Sequence, residues 1–314
     1  MAGNFNISSG KVAVLLSTYN GEKYLDELLL SLKEQEWPDI SLIVRDDQSS
    51  DKTLQVLKRN QSNNKKNNFT ILPSGDHLGA ARSFLNLLSE AGDGFNFYAF
   101  SDQDDVWSSD KISRAVNKLY TVSQLIPAFY CSRLEYVDED LNHLRFSRIP
   151  RQIGFGNAIV ENVATGCTVV MNKVARELIL SGLPDKLLMH DWWCYLTISC
   201  FGRVLFDDYP GIKYRQHATN AIGAATEFSD DLNRRVRRIF KSEDGVFRFS
   251  DQVRKFIENF RDRIPEEQHR ILNLVLSGKS SIKDRIRLAA SGEIWRQRWG
   301  DDAILRILIL MNRY

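Results

Sequence analysis

The chain has 314 residues, 43% of them hydrophobic and 11% aromatic, with 42 Lys and Arg against 40 Asp and Glu, a formal net charge of +2. That length suits one large catalytic domain with an appendage and a substantial core, and the composition excludes collagen-like and intrinsically disordered classes. No run of about 18 apolar residues occurs, which excludes a transmembrane helix, and the small net charge gives no ground for expecting nucleic acid as a partner.

The charge is unevenly spread. Residues 1–227 carry 23 Lys and Arg against 27 Asp and Glu, a balance of −4, whereas residues 228–314 carry 19 against 13, a balance of +6. A catalytic domain over 1–227 is therefore expected, followed by a basic helical region over 228–314 that faces something anionic. Cys131, Cys167, Cys194 and Cys200 form no Cys-x-x-Cys pair and lie in mostly apolar sequence. They read as reduced core residues of a cytoplasmic protein rather than a zinc site.

Residues 1–10 are small and polar and read as a loose leader. Lys11 to Ser17 is a continuous apolar run, the mark of a strand buried on both faces of a parallel sheet. A polar turn follows, then Tyr24, Leu25, Leu28, Leu29 and Leu32 at helical spacing, ended near Gln35 by Trp37-Pro38. Ile40 to Val44 predicts the second strand and runs into Asp46 and Asp47. A helix through Arg59, an exposed loop over Gln61 to Asn68 and a third strand from Phe69 to Leu72 come next. Ala80 to Glu90 predicts a third helix and Phe95 to Phe100 a fourth strand. Four such alternations in the first hundred residues predict an α/β fold with a doubly wound, mostly parallel sheet.

Ligands of such sheets bind beyond the carboxyl ends of the strands. Those ends carry Ser17-Thr18-Tyr19, Asp46-Asp47 and Asp102-Gln103-Asp104. No Gly-x-Gly-x-x-Gly and no P-loop follows any of them, so phosphate would be held by metal rather than by a glycine loop. At the fourth strand an apolar run stops in three carboxylates, Asp102, Asp104 and Asp105. Strand alternation puts Asp102 and Asp104 on one side, where they could hold Mg²⁺ or Mn²⁺ with positions left open for substrate phosphates. The same stretch could equally be a solvated acidic turn, since Ser108, Ser109 and Asp110 are all helix-capping residues.

The middle section predicts short strands at Ala128 to Cys131, Val163 to Met171 and Arg203 to Phe206, and a helix through Cys200 opened by Leu187-Leu-Met-His-Asp-Trp-Trp-Cys-Tyr195. A His-Asp pair beside two tryptophans is a setting in which pKa values shift, although Asp191 could be only a cap and Trp192 and Trp193 only core. Tyr214-Arg-Gln-His217 follows a strand-like segment, and Asn220 to Gly223 reads as flexible. Beyond Phe228, one stripe consists of Leu232, Val236, Ile239 and Phe240 among Arg234, Arg235, Arg237 and Arg238, and a second of Val253, Phe256, Ile257, Phe260 and Ile264. Ala303 to Met311 is almost wholly apolar. Such stripes pack on a domain. The arginines and the segment around Trp295 and Trp299 could in addition meet anionic lipid at the inner face of a membrane.

Taken together, Val14-Leu-Leu-Ser-Thr-Tyr-Asn20, Val44-Arg-Asp-Asp-Gln-Ser-Ser-Asp51 and Phe100-Ser-Asp-Gln-Asp-Asp-Val-Trp107 resemble the family 2 glycosyltransferases of the GT-A fold, in order and spacing, over roughly residues 11 to 220. With His190-Asp-Trp-Trp193 and Tyr214-Arg-Gln-His217 added, the pattern looks most like bacterial rhamnosyltransferases that build cell-surface polysaccharide. The resemblance implies inverting, metal-dependent transfer of a sugar, L-rhamnose from dTDP-rhamnose or another hexose from a UDP-sugar, onto a saccharide or lipid-linked saccharide. It implies a nucleotide-sugar half over 11–107 and an acceptor half over 108–227. Ser17 and Tyr19 fall where the family's first strand meets the nucleoside, Asp47 where a carboxylate accepts N3–H of uracil or thymine, with Asp46 beside it, and Arg82 on the donor side. Asp104 falls at the metal-binding aspartate of the DxD motif and Asp102 at its first carboxylate, while His217 lies near the diphosphate. Asp191 matches the catalytic base, preceded by His190 where many members carry Glu. Trp192 and Trp193 offer flat apolar faces to a sugar ring.

Two other classes are weaker. A sugar nucleotidyltransferase would open with a glycine-rich basic loop, which Ser17-Thr-Tyr-Asn-Gly21 is not. A non-catalytic carbohydrate-binding assembly protein would leave the carboxylates idle.

Overall fold

The computed structural model describes residues 10–64, 68–73, 75–217 and 248–314. The basic stripe at Leu232 to Phe240, the segment Asn220 to Gly223 and most of the leader lie outside them.

The first half alternates as expected: β1 (Val12–Thr18), α1 (Leu25–Lys33), β2 (Ile40–Asp46), α2 (Thr53–Ser62), β3 (Phe69–Ile71), α3 (Ala80–Glu90) and β4 (Phe97–Ser101). Then come β5 (Val106–Trp107), α4 (Lys111–Leu119), β6 (Ala128–Ser132), β7 (Glu135–Val137), β8 (His143–Phe146), α5 (Phe155–Val160), β9 (Val170–Asn172), α6 (Lys173–Leu180), α7 (His190–Phe201), β10 (Arg203–Asp207) and β11 (Ile212–Arg215). After residue 248 the chain is helical: α8 (Phe249–Phe260), α9 (Glu266–Ser280), α10 (Ile282–Ala290) and α11 (Trp299–Leu310).

Seven strands form one sheet in the order β10-β6-β9-β4-β1-β2-β3. Every neighbouring pair is parallel except the two made by β9, which runs against β4 and β6. Val163 to Met171, expected as one strand, is instead a 3₁₀ turn over Gly166–Thr168 followed by β9. The turn has a cause in the site: the Gly166 amide is drawn to Asp191. A second sheet, β5-β11-β7-β8, stands beside the first.

Alternation along β1 sends its side chains into two cores. Val12, Val14 and Leu16 pack with α1 and α4 residues such as Leu28, Ile112 and Val116. Ala13 and Leu15 face Phe84, Phe155, Trp193 and, from the C-terminal helices, Phe256, Phe260 and Leu272. The helices after residue 248 thus share a core with the sheet, and the stripe Val253, Phe256, Phe260 and Ile264 is its buried edge.

Trp193 is the hinge pin of that junction. It has no exposed surface, and its ring meets those of Phe256 at 5.6 Å and Phe260 at 6.2 Å. It therefore joins two layers and presents no face to a sugar, a correction to the expectation for this residue. Trp193→Ala removes one of the largest buried side chains, and it lowers the free energy of unfolding in urea by about 3–5 kcal/mol.

Candidate active site

The site lies at the carboxyl ends of β1, β2 and β4, where the polar turns after buried strands converge. Asp47, just past β2, is almost wholly buried. Its Oδ1 accepts the Leu78 amide at 2.8 Å and an arm of Arg45, its Oδ2 accepts the Gly79 amide at 2.8 Å, and His77 stands at 3.0 Å. Burial pushes this carboxyl up, but the Leu78 amide, Arg45 and the Gly79 amide outweigh it and hold the group below the usual range. Asp46 is buried beside it and is bound to its own turn, accepting Thr18 Oγ1 at 2.9 Å and Ser49 Oγ at 2.6 Å.

Arg45 was not anticipated as part of this corner. It is 4% exposed, touches Ser83 Oγ at 3.0 Å and binds the Asp76 carbonyl, so it ties β2 to α3 and to the loop before it. The available signal was an arginine following directly on the apolar run Leu42-Ile-Val44 within the strand. Arg45→Met leaves the Asp47 charge buried without its cation, and unfolding measurements show a loss of about 3–5 kcal/mol.

Ser17 Oγ meets Ser83 Oγ at 2.7 Å, which fixes the end of β1 against α3. Tyr19 is half exposed, with its ring 4.8 Å from that of His77. Its backbone is clasped by Gln103, whose Oε1 accepts the Tyr19 amide at 2.8 Å while its Nε2 donates to the Tyr19 carbonyl at 3.0 Å. A Cβ at Gly21 would lie 2.2 Å from Gln103 Oε1, so glycine there is what admits the clasp. The middle residue of Asp102-Gln-Asp104 therefore sets the distance between the β1 turn and the carboxylates. Arg82 is exposed and binds the Asp185 carbonyl in the loop before α7.

Residues 102–105 form a turn between β4 and β5, not an extension of β4, so strand alternation is not what arranges these carboxylates. Asp104 Oδ2 meets His217 Nε2 at 2.7 Å, with both side chains partly exposed. Asp102 is partly buried, and burial together with the nearby charges of Asp104 and Asp191 raises its carboxyl to about 7. Asp105 is 1% exposed. Its Oδ1 accepts the Arg215 amide at 3.3 Å, Oδ2 has no partner, and burial and the charges of Asp104 and Asp102 push it well up.

Behind this turn two buried cations do different work. Arg215 reaches the Asp104 carbonyl at 3.0 Å, the Glu139 carbonyl and Glu27, and lies over the Tyr24 ring, which fixes the turn from below. Lys111 sits 3.2 Å above the Trp107 ring with its ammonium otherwise unbonded, and burial lowers it to about 7.

Among the described residues, ligand atoms of Asp102, Asp105 and Cys167 lie within 4.8 Å of one another. This buried group suits a hard cation poorly, because Mg²⁺ and Mn²⁺ prefer oxygen and keep waters, and burial leaves the Cys167 thiol protonated. Asp104 and His217 are harder donors, a carboxylate and an imidazole on partly exposed side chains, and the charge of Asp104 acts on Asp102 nearby, a crowding of negative charge that a cation would relieve.

Asp191 stands at the first turn of α7, and its charge acts on Asp102. Its Oδ2 accepts the Gly166 amide at 3.0 Å and its Oδ1 the Trp192 amide at 2.7 Å. Burial raises it to about 6, against the pull of those amides. His190 is buried between Phe84, stacked at 4.3 Å, and Phe100 at 5.0 Å, with neither ring nitrogen bonded. Burial drives it down to about 3, so it is a neutral packing residue under Gly166, not a sugar contact. Trp192 is partly exposed, and its Nε1 donates to the Ala158 carbonyl at 2.7 Å. Of the three residues expected at an acceptor pocket, it alone retains accessible surface.

Residues 13–178 match the model of "Glycosyl transferase family 2". The chain is similar to the dTDP-rhamnosyl transferase RfbG of Shigella flexneri, 30% identical over 238 residues that cover 70% of this chain and 77% of the relative. Its fold is that of Staphylococcus aureus TarS in complex with UDP-GlcNAc, with a TM-score of 0.58 and 18% identity over 96% of this chain and 87% of that one. The mannosyltransferase PcManGT of Pyrobaculum calidifontis, in complex with GDP-Man and Mn²⁺, is similar with a TM-score of 0.52 and 19% identity over 97% and 81%. These likenesses establish the GT-A architecture.

Proposed function

Since the chain belongs to glycosyl transferase family 2 and is a glycosyltransferase, we propose that it moves L-rhamnose from dTDP-rhamnose onto a saccharide, lipid-linked in the cell, during bacterial surface-polysaccharide synthesis. The observation that carries the chemistry is Asp191, buried, fixed by two amides and raised to about 6, close enough to Asp102 for its charge to act there. The donor reading is supported by the similarity to RfbG. A UDP-hexose is the second reading, since Asp47 would accept N3–H from uracil as readily as from thymine.

In this mechanism Ser17, Tyr19 and Asp47 bind the nucleoside, and Asp102 touches its ribose or the metal. Asp104 and His217, with Asp102, would hold Mn²⁺ or Mg²⁺, which neutralises charge on the departing diphosphate when bound. Asp191 accepts the proton of the acceptor hydroxyl as that oxygen attacks the anomeric carbon. The bond from the anomeric carbon to the diphosphate oxygen breaks on the opposite face, so the configuration inverts and the nucleoside diphosphate leaves. Arg82 lies on the donor side of this path, and Trp192 on the side of the incoming acceptor.

The test is a donor screen with dTDP-rhamnose, other dTDP-sugars and UDP-sugars, with Mn²⁺ or Mg²⁺, that reads nucleotide release. Turnover of dTDP-rhamnose above all others is the expected result. Preference for a UDP-sugar would move the assignment to the second reading, and release from none of them would overturn it.

A further inference from the structure

The last helix is apolar on both of its faces, with Leu305 and Ile309 buried. On α11, Trp299, Ala303, Ile307 and Leu310 follow one another at i, i+4, i+8 and i+11, the spacing of a single helical face, and all four are exposed. Trp299 is 79% and Ile307 54% accessible. The twelve residues of this helix give an apolar strip about 18 Å long at 1.5 Å per residue, where a surface helix ordinarily carries charge. Helix α10 packs along α11 and adds Ile282 and Ile286, 70% and 55% accessible, with Lys283 and Arg287 exposed next to each in sequence.

Basic groups also stand at the Trp299 end. Arg151 lies 4.5 Å over the Trp299 ring. The segment from His143 to Gln152 contains Arg145, Arg148 and Arg151 and no acidic residue, and β8 within it is exposed along its whole length. Leu144, Phe146 and Ile149 alternate with those arginines and are themselves exposed. Among the described residues, neither these three arginines nor Lys283 and Arg287 pair with a carboxylate. Guanidinium groups that meet rings, Arg145 that of Tyr136 and Arg151 that of Trp299, and no carboxylate, set among exposed apolar side chains, are complementary to an interface that offers phosphate and hydrocarbon together. A soluble anionic polymer would meet the charge and leave the isoleucines and Trp299 in water.

We propose that the outward faces of α10 and α11, with the arginines of residues 143–152, form a membrane-contact surface selective for anionic phospholipid. It deepens the reading of a lipid-linked acceptor and rests in part on it. The surface also adjoins the site: β8 is separated from β11, which ends in Arg215, by β7 alone.

The full chain is sedimented with vesicles of phosphatidylcholine and with vesicles enriched in phosphatidylglycerol. Binding to the second and not the first is expected, and binding to neither, or equally to both, overturns the proposal. Arg148→Gln with Arg151→Gln weakens partitioning about fivefold for each arginine. Ile307→Glu with Leu310→Glu abolishes it, while circular dichroism and transfer to a soluble acceptor stay as in the parent. If this last variant instead converts a dimer to a monomer in light scattering and leaves vesicle binding unchanged, a second copy covers the strip and the proposal falls. Vesicle binding by an enzyme that ignores lipid-linked acceptors would sink the acceptor reading alone. Turnover of such acceptors without vesicle binding would sink the surface alone.

Discussion

Asp191→Asn lowers kcat by at least about 10²–10⁴, the range in which a positioned general base contributes, and leaves donor affinity by calorimetry at its parent value. The amide keeps an oxygen for only one of the Gly166 and Trp192 N–H groups, so circular dichroism stays that of the parent while the free energy of unfolding falls by about 1–3 kcal/mol, the cost of one buried amide left unbonded. The parent enzyme adds a second signature. A base must be deprotonated to act, and burial raises this carboxyl to about 6. Transfer is therefore lost as pH falls through about 6 and levels off above it, and that limb is absent from the residual rate of Asp191→Asn. A variant that retains full activity would remove Asp191 from the mechanism.

Asp104→Ala has the other large effect. It deletes the carboxylate that meets His217 and leaves Asp102 as the remaining acidic donor at the mouth. Transfer falls by about 10²-fold or more, a loss of the order expected when stabilisation of a departing charge is removed. Calorimetry separates this from misfolding: the parent binds nucleotide sugar more tightly with Mn²⁺ than with EDTA, and the variant shows no such difference. If affinity in the variant still responds to Mn²⁺ as in the parent, Asp104 is not the ligand, and the buried trio Asp102, Asp105 and Cys167 has to be reconsidered.

How much of this could be read from the chain differs by element, for physical reasons. Strands buried on both faces are continuous apolar runs, so β1, β2 and β4 and the carboxylates at their ends were legible, and α3 lies where its periodicity put it. Residues that act by reaching across the fold were not. Arg45, Gln103 and Arg215 each hold a turn that is distant in sequence, and nothing in their immediate neighbours reports the partner. Trp193 misled for the opposite reason. An aromatic residue next to a candidate base suits a sugar wall, but helical geometry turns adjacent residues about 100° apart, so Trp192 and Trp193 face different neighbours. The 3₁₀ turn at Gly166 was hidden because the amide that demands it serves Asp191, 25 residues later.

The reversed strand β9 has a further consequence. Backbone pairing between the half of the large sheet that holds β1 to β4 and the half that holds β6 and β10 passes through it. On the β4 side the ladder pairs Phe97 with Asn172, Tyr98 with Met171 and Ala99 with Val170, extended by the Phe100 amide to the Val169 carbonyl and the Lys173 amide to the Asn96 carbonyl. The backbone seam is short, and the rest of the junction is one continuous core that runs from Tyr98 and Phe100 to Phe129, Cys131 and Trp193. A chain cut on either side of β9 would therefore break that core as well as the register, and the two halves of the sheet stand or fall together.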